Sequence, residues 1–160
     1  MTGKTAVLGF GNPVRADDGV GPWVIGQLRE RLADDAPVTL FDMGTSTFDL
    51  LFALRGHDRF VCIDAVTNSG HAPGTIFQPP VEAVERPADD DGLVFLHGLK
   101  WTQALAYARR LLGDAFPRDV QVWLVAVDDL SFSMALTPPV AAAGAALVDR
   151  LTEELCAVPR

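Results

Sequence analysis

The sequence predicts an α/β protein in which a mixed, mostly parallel five-stranded sheet carries helices on both faces. Three observations lead there. Strand-like and helix-like segments follow one another in the order β-α-β-α-β-β-α-β-α, the alternation of a sheet covered on both sides. Phe60-Val61-Cys62-Ile63 and the stretch Val120 to Val127 are unbroken apolar runs, as expected of strands buried on both faces. The link from Asp64 to Thr75 is too short for a crossover helix, so the strand Thr75-Ile76-Phe77 is expected to run the opposite way or to lie at the sheet edge.

Taken in order, Thr5 to Leu8 form a short apolar strand, and the Gly9–Gly21 stretch joins it to the first helix. Val20, Trp23, Val24, Leu28 and Leu32 recur at helical spacing, which predicts a helix over Val20–Leu32 that ends before Pro37. Val38 to Phe41 read as the second strand, delivering Asp42, and Asp42 to Thr47 as a turn into a short helix over Phe48–Leu54 that Ser46 or Thr47 can cap. The third strand delivers Asp64. Val81 to Gly92 is polar and reads as a surface loop with room for a short helical turn, its Asp89-Asp90-Asp91 a solvated run. A helix over Leu99–Leu112, the strand Val120–Val127 and a final helix over Pro139–Leu155, opened by Thr137-Pro138, complete the chain. Right-handed crossovers place the first strand between the second and third.

Residues 1–160 are read as one domain, long enough to bury a core without disulfides or a structural metal. The net charge of -8, with Lys4 and Lys100 the only lysines, argues against nucleic acid as a partner. Cys62 and Cys156 have neither metal nor redox spacing and read as buried free thiols. No apolar stretch of signal-peptide length precedes the glycine-rich loop, and the apolar segment Ala135–Val148 is interrupted by Pro138 and Pro139. A cytoplasmic location without membrane insertion is expected; the sequence carries no reading of oligomeric state.

The chemistry is expected beyond the carboxyl ends of the strands, where open α/β sheets bind their ligands. Gly9 and Gly11 match two positions of a dinucleotide-binding loop, but Val14 occupies the third, acids follow, and the lysine of a phosphate-binding loop is missing. What the topology gathers at that edge instead is Asp18, Asp42 and Asp64, with His97 at a helix start placed to join them. Carboxylates and an imidazole around one cleft suit a divalent transition metal, nickel and zinc among them, with positions left open. Each has a plainer reading: Asp18 as a helix cap, Asp64 as a hydrogen-bonded strand-end acid, His97 as a residue of a helix N-terminus. His57 and His71 lie in turns and are expected to be exposed.

Gly9-Phe10-Gly11-Asn12, Asp17-Asp18-Gly19-Val20-Gly21, Asp42-Met43-Gly44-Thr45, Asp64-Ala65, Pro73-Gly74-Thr75, His97-Gly98-Leu99 and Leu136-Thr137-Pro138 form an ordered set. Together they resemble the hydrogenase maturation endopeptidases, from the first strand to the last helix. The resemblance implies a three-layer α/β sandwich and a cytoplasmic endopeptidase of the aspartic-type grouping. Such an enzyme removes the C-terminal extension of a nickel–iron hydrogenase large-subunit precursor after nickel insertion. It implies Asp18, Asp64 and His97 as metal ligands, Asp18 standing where the family carries Glu or Asp, and Asp42 as an acid used in substrate handling or catalysis. Nickel would arrive with the precursor as recognition element, although another divalent metal held by the enzyme itself is a competing version. A non-enzymatic nickel-binding checkpoint for the same precursor would use the same ligands. Two positions depart from the family: Phe95 stands where a small polar residue is expected, and Val127-Asp128-Asp129 replaces a glycine and proline pattern.

Overall fold

The computed structural model describes residues 3–47, 49–86 and 94–157, with the side chains of Val94 and His97 outside the description. Five strands, β1 (Thr5–Phe10), β2 (Val38–Gly44), β3 (Arg59–Val66), β4 (Ile76–Phe77) and β5 (Asp119–Ala126), form one sheet in the order β2-β1-β3-β5-β4. The pairs β1–β2, β1–β3 and β3–β5 are parallel, and β4 runs antiparallel at the edge beside β5. The first strand therefore sits between the second and third, and the short third connection produces the reversed edge strand, both as expected from crossover handedness and linker length.

Side-chain alternation divides the core into two layers. Leu8, Phe10, Phe60, Cys62, Val122 and Leu124 face one side, where α2 (Leu50–Leu54), α3 (Val81–Glu85) and α4 (Thr102–Leu112) cover them. Val7, Val61, Ile63, Trp123 and Val125 face the other, against α1 (Val20–Arg31) and α5 (Pro138–Cys156). On α1 the buried Val20, Val24, Ile25 and Leu28 make one stripe, which explains why this helix forms despite Gly21, Pro22 and Gly26. Among the described residues no helix is long and apolar enough to cross a membrane.

Several local expectations change. Both β2 and β3 run further than their apolar runs, so Asp42 and Asp64 lie inside the ladder, opposite Gly9 and Leu124, rather than just beyond it. Strand pairing is cooperative along parallel neighbours and tolerates a polar residue whose side chain finds a partner. The second helix starts at Leu50 behind Asp49, so neither Ser46 nor Thr47 caps it. The helix expected from Leu99 starts at Thr102, after a separate 3-10 turn over Val94–Gly98. Cys62 is buried, but Cys156 is exposed because it ends α5 on its outer side. His71 is exposed, whereas His57 is half-buried: its Nε2 shares a 3.0 Å hydrogen bond with Thr39 Oγ1, and its ring packs edge-on to Phe41. Asp89, Asp90 and Asp91 lie outside the described residues.

Two loops are laced together at the carboxyl end of the sheet. The N–H of Ala16 donates to Ser133 O (2.7 Å), that of Ser133 to Val14 O (3.0 Å) and that of Asp17 to Asp129 O (3.2 Å). Asp17 completes the lacing. Its carboxylate, 1% exposed, accepts both the N–H and the hydroxyl of Thr137, each at 2.7 Å, at the residue that starts α5. Replacing Asp17 with Ala removes two charge-assisted bonds and strands a helix-end N–H. The expected loss in unfolding free energy is about 2–4 kcal/mol, read from urea denaturation, with an unchanged m-value.

Candidate functional site

The site grows out of a close contact between backbone and backbone. Gly11 has φ +135°, a conformation L side chains rarely adopt, and a Cβ there would lie 1.9 Å from Asp18 O. A Cβ on Gly21 would lie 2.2 Å from Phe10 O and 3.0 Å from Ile63 O. The start of α1 thus rests directly on the ends of β1 and β3, and these glycines serve packing of chain against chain. The turn that carries Asp18 is held beside β3, and Asp18 Oδ2 accepts the N–H of Asn12 at 2.8 Å. Neither Asp17 nor Asp18 caps α1, whose leading residue Gly19 makes no side-chain cap.

A cleft of about 220 Å3 opens at this edge, lined by Phe10, Arg15, Asp18, Gly44, Thr45, Asp64 and Trp101, among others, with Phe95, Leu130 and Lys100. Asp18 and Asp64 are brought together in it. Asp64 shares the parity of Cys62 along β3, so its side chain enters the layer beneath α4, where the residue is 8% exposed. Its oxygens are both engaged: Oδ1 accepts the N–H of Ala65 and Oδ2 the indole N–H of Trp101, each at 2.8 Å. Burial dominates its ionisation and pushes its pKa from 3.8 up to about 7; the two hydrogen bonds and Lys100 pull it down, and the Asp18 charge adds to the rise.

Asp42 is placed differently. Alternation along β2 gives Asp42 the parity of Leu40, opposite to that of Phe41 and Met43, and the residue is exposed, outside the cleft lining. Its Oδ1 accepts the N–H of Gly44, where β2 is irregular against β1, and Gly44 and Thr45 do line the cleft. The backbone of His97 belongs to the 3-10 turn, and its neighbours Gly98 and Leu99 line the cleft; its imidazole lies outside the described residues. Among the described residues no three His, Cys, Asp or Glu side chains gather as a metal-binding group.

Sequence reasoning missed Trp101, Lys100 and Arg15. The available signal was an indole two residues after Leu99, directly beside a lysine, in a segment otherwise read only for its apolar helix stripe. Trp101 is 1% exposed and stacks on Phe10, with ring centroids 5.3 Å apart and planes 12° apart. Phe95, where a small polar residue was expected, packs against Phe77 and gives the cleft an apolar wall.

The fold is an α/β sheet with two carboxylates, Asp18 and Asp64, lining one cleft at its carboxyl edge. The chain belongs to the hydrogenase maturation protease family, whose model matches residues 22–154. No individually curated protein is similar at a significant level of sequence. Among solved structures, an endopeptidase from Escherichia coli is 25% identical with a TM-score of 0.77, covering 97% of this chain and 94% of its own. The hydrogenase 2 maturation peptidase of a Thaumarchaeota archaeon is 26% identical with a TM-score of 0.66, covering 96% and 98%. The fold is also that of the E. coli hydrogenase maturating endopeptidase HybD, at 24% identity, a TM-score of 0.73 and coverage of 92% and 89%.

The elevated pKa has a sign that can be measured. Between about pH 4 and pH 7 Asp64 keeps in the folded chain a proton that the unfolded chain has released, so its contribution favours folding below about pH 4 and is lost as pH rises to about 7. The side-chain 13C resonance of Asp64 is expected to titrate near neutrality, not near 4. Asp64→Ala is expected to remove this part of the fall in stability between those values in urea titrations.

Proposed function

We propose that the chain is an endopeptidase that removes the C-terminal extension of a nickel–iron hydrogenase large-subunit precursor, and that nickel already inserted in the precursor is what it recognises. The observation that carries the reading is the convergence of Asp18 and Asp64 in one cleft, with the turn bearing His97 forming part of its wall. Burial and the Asp18 charge keep the Asp64 pKa raised despite Lys100 nearby, and a divalent cation held between the two carboxylates would relieve both effects. Oxygen donors together with an imidazole fit a borderline cation such as nickel, and three protein ligands leave positions for the precursor's own donors. Nickel is in this reading part of the substrate.

The chain's residues then have separate tasks. Asp18, Asp64 and His97 complete the coordination of the incoming nickel and so fix the precursor's position, which converts a diffuse encounter into a held geometry for the scissile amide. Asp42, exposed at the rim beside Gly44, acts on the peptide rather than on the metal, handling the extension or assisting a water as general base. The strand parity that puts Asp42 and Asp64 on opposite faces of the sheet supports this division. The reading places the protein in the cytoplasm, where the precursor is matured, and groups it with the aspartic-type peptidases. The family membership and the endopeptidase relatives support hydrolysis over mere nickel binding.

Mass spectrometry of purified large-subunit precursor checks this. Nickel-loaded precursor is expected to lose its C-terminal peptide on incubation with the protein, and nickel-free precursor to stay intact. Full-rate cleavage of nickel-free precursor refutes nickel recognition, and binding of loaded precursor without shortening supports a checkpoint that is not an enzyme. His97→Ala and Asp18→Ala are each expected to lower processing by about 100-fold or more while leaving the melting temperature near that of the parent, because loss of a ligand costs no less than loss of the groups that support it. Asp42→Asn is expected to slow cleavage without weakening association with the nickel-loaded precursor.

A further inference from the structure

We propose that Trp101 is a positioning residue of the cleft, whose indole N–H holds the Asp64 carboxylate in the orientation that meets the precursor's nickel. The inference rests on the reading of Asp64 as a nickel ligand given above.

The geometry is specific. Asp64 receives one donor on each oxygen, Ala65 N–H on Oδ1 and Trp101 Nε1–H on Oδ2, both at 2.8 Å. The first donor belongs to the adjacent residue and comes with the strand, so it leaves the carboxylate plane free to swing about that bond. The second arrives from 37 positions away and fixes the plane. Each oxygen keeps lone-pair capacity beyond the bond it accepts, so the held carboxylate still has a lone pair to offer a cation in the cleft. Groups that orient a ligating side chain in this way tune the affinity of the site for its cation.

Trp101 is itself held by two independent contacts. Its ring stacks on Phe10, the last residue of β1, and its carbonyl accepts the N–H of Leu105 in the first turn of α4. It thereby ties together the end of β1, the Asp64 position of β3 and the segment that bears His97 four residues earlier. Burial of an indole does not by itself produce such a bond. Trp123 is also buried, at 4% exposed, and its Nε1–H has no hydrogen-bond partner among the described residues. The indole of residue 101 is directed onto a carboxylate, and neither Phe nor Leu in its place reproduces that donor.

Trp101→Phe keeps an aromatic ring on Phe10 and removes only the N–H. Its affinity for nickel-loaded precursor is expected to fall about 10–100-fold, with affinity for nickel-free precursor unchanged. Unchanged affinity for both forms overturns the proposal, and so does an equal loss for both, which marks a general structural role. Asp64→Ala run in parallel separates the two layers of the argument. Nickel discrimination lost in Asp64→Ala but kept in Trp101→Phe overturns the positioning role alone, and discrimination kept in both overturns the ligand assignment with it. Should Trp101→Phe not fold, the unsubstituted protein carries the test. With 15N-labelled tryptophan, nickel-loaded precursor is expected to perturb the Trp101 indole N–H cross-peak, while nickel-free precursor leaves it in place. An unmoved Trp101 cross-peak overturns the proposal.

Discussion

The separation between the start of α1 and the ends of β1 and β3 is the constraint on which the site depends. Gly21 meets Phe10 O and Ile63 O at distances that leave no room for a methyl group, and Gly11 turns the chain where only glycine relaxes. A larger residue at either point lifts the helix and carries Asp18 away from the mouth of β3. Because hydrophobic burial beneath α1 is distributed over Val20, Val24, Ile25 and Leu28, the helix is pressed onto the sheet along its length, and the glycines decide how near its first turn comes. The loop is then fixed from the other side by the bonds to Ser133, Asp129 and Thr137.

Two buried acids at this end of the sheet are handled in opposite ways. Asp17 is matched by donors at the start of α5 and closes a structural contact. Asp64 also accepts two donors, yet burial and the neighbouring Asp18 still push its pKa upward, so the protein bears an electrostatic cost there that its own groups do not remove. Both acids are buried and hydrogen-bonded, but Asp17 ties two loops together at the start of α5, whereas Asp64 lines the cleft beside Asp18.

Much of the architecture was legible because it is written in short periods. The apolar run at Phe60–Ile63, the i, i+4 recurrence along α1 and the short Asp64–Thr75 link identify element types and fix the order of strands, since few topologies satisfy handedness and linker length together. Element ends were less legible. Strands β2 and β3 continue through Asp42 and Asp64 because their neighbours hold the backbone in register, a condition no local pattern displays. The acids were noticed as strand-end residues, but the layer each faces follows from parity: Asp42 shares the α1 side with Leu40, and Asp64 shares the α4 side with Cys62.

The sequence by itself determined the fold class, the neighbours of β1, the reversed edge strand and the gathering of acids at one sheet edge, because these follow from periodicity, chirality and loop length. Only the tertiary structure decided which partner each polar side chain meets. Asp17 meets Thr137 from 120 positions away and Asp64 meets Trp101 from 37 away, and His57 finds Thr39 across a turn expected to be exposed. A polar side chain's partner is chosen by whichever donor the packed core delivers within hydrogen-bond reach, and that distance is a property of the assembled layers rather than of any stretch of chain.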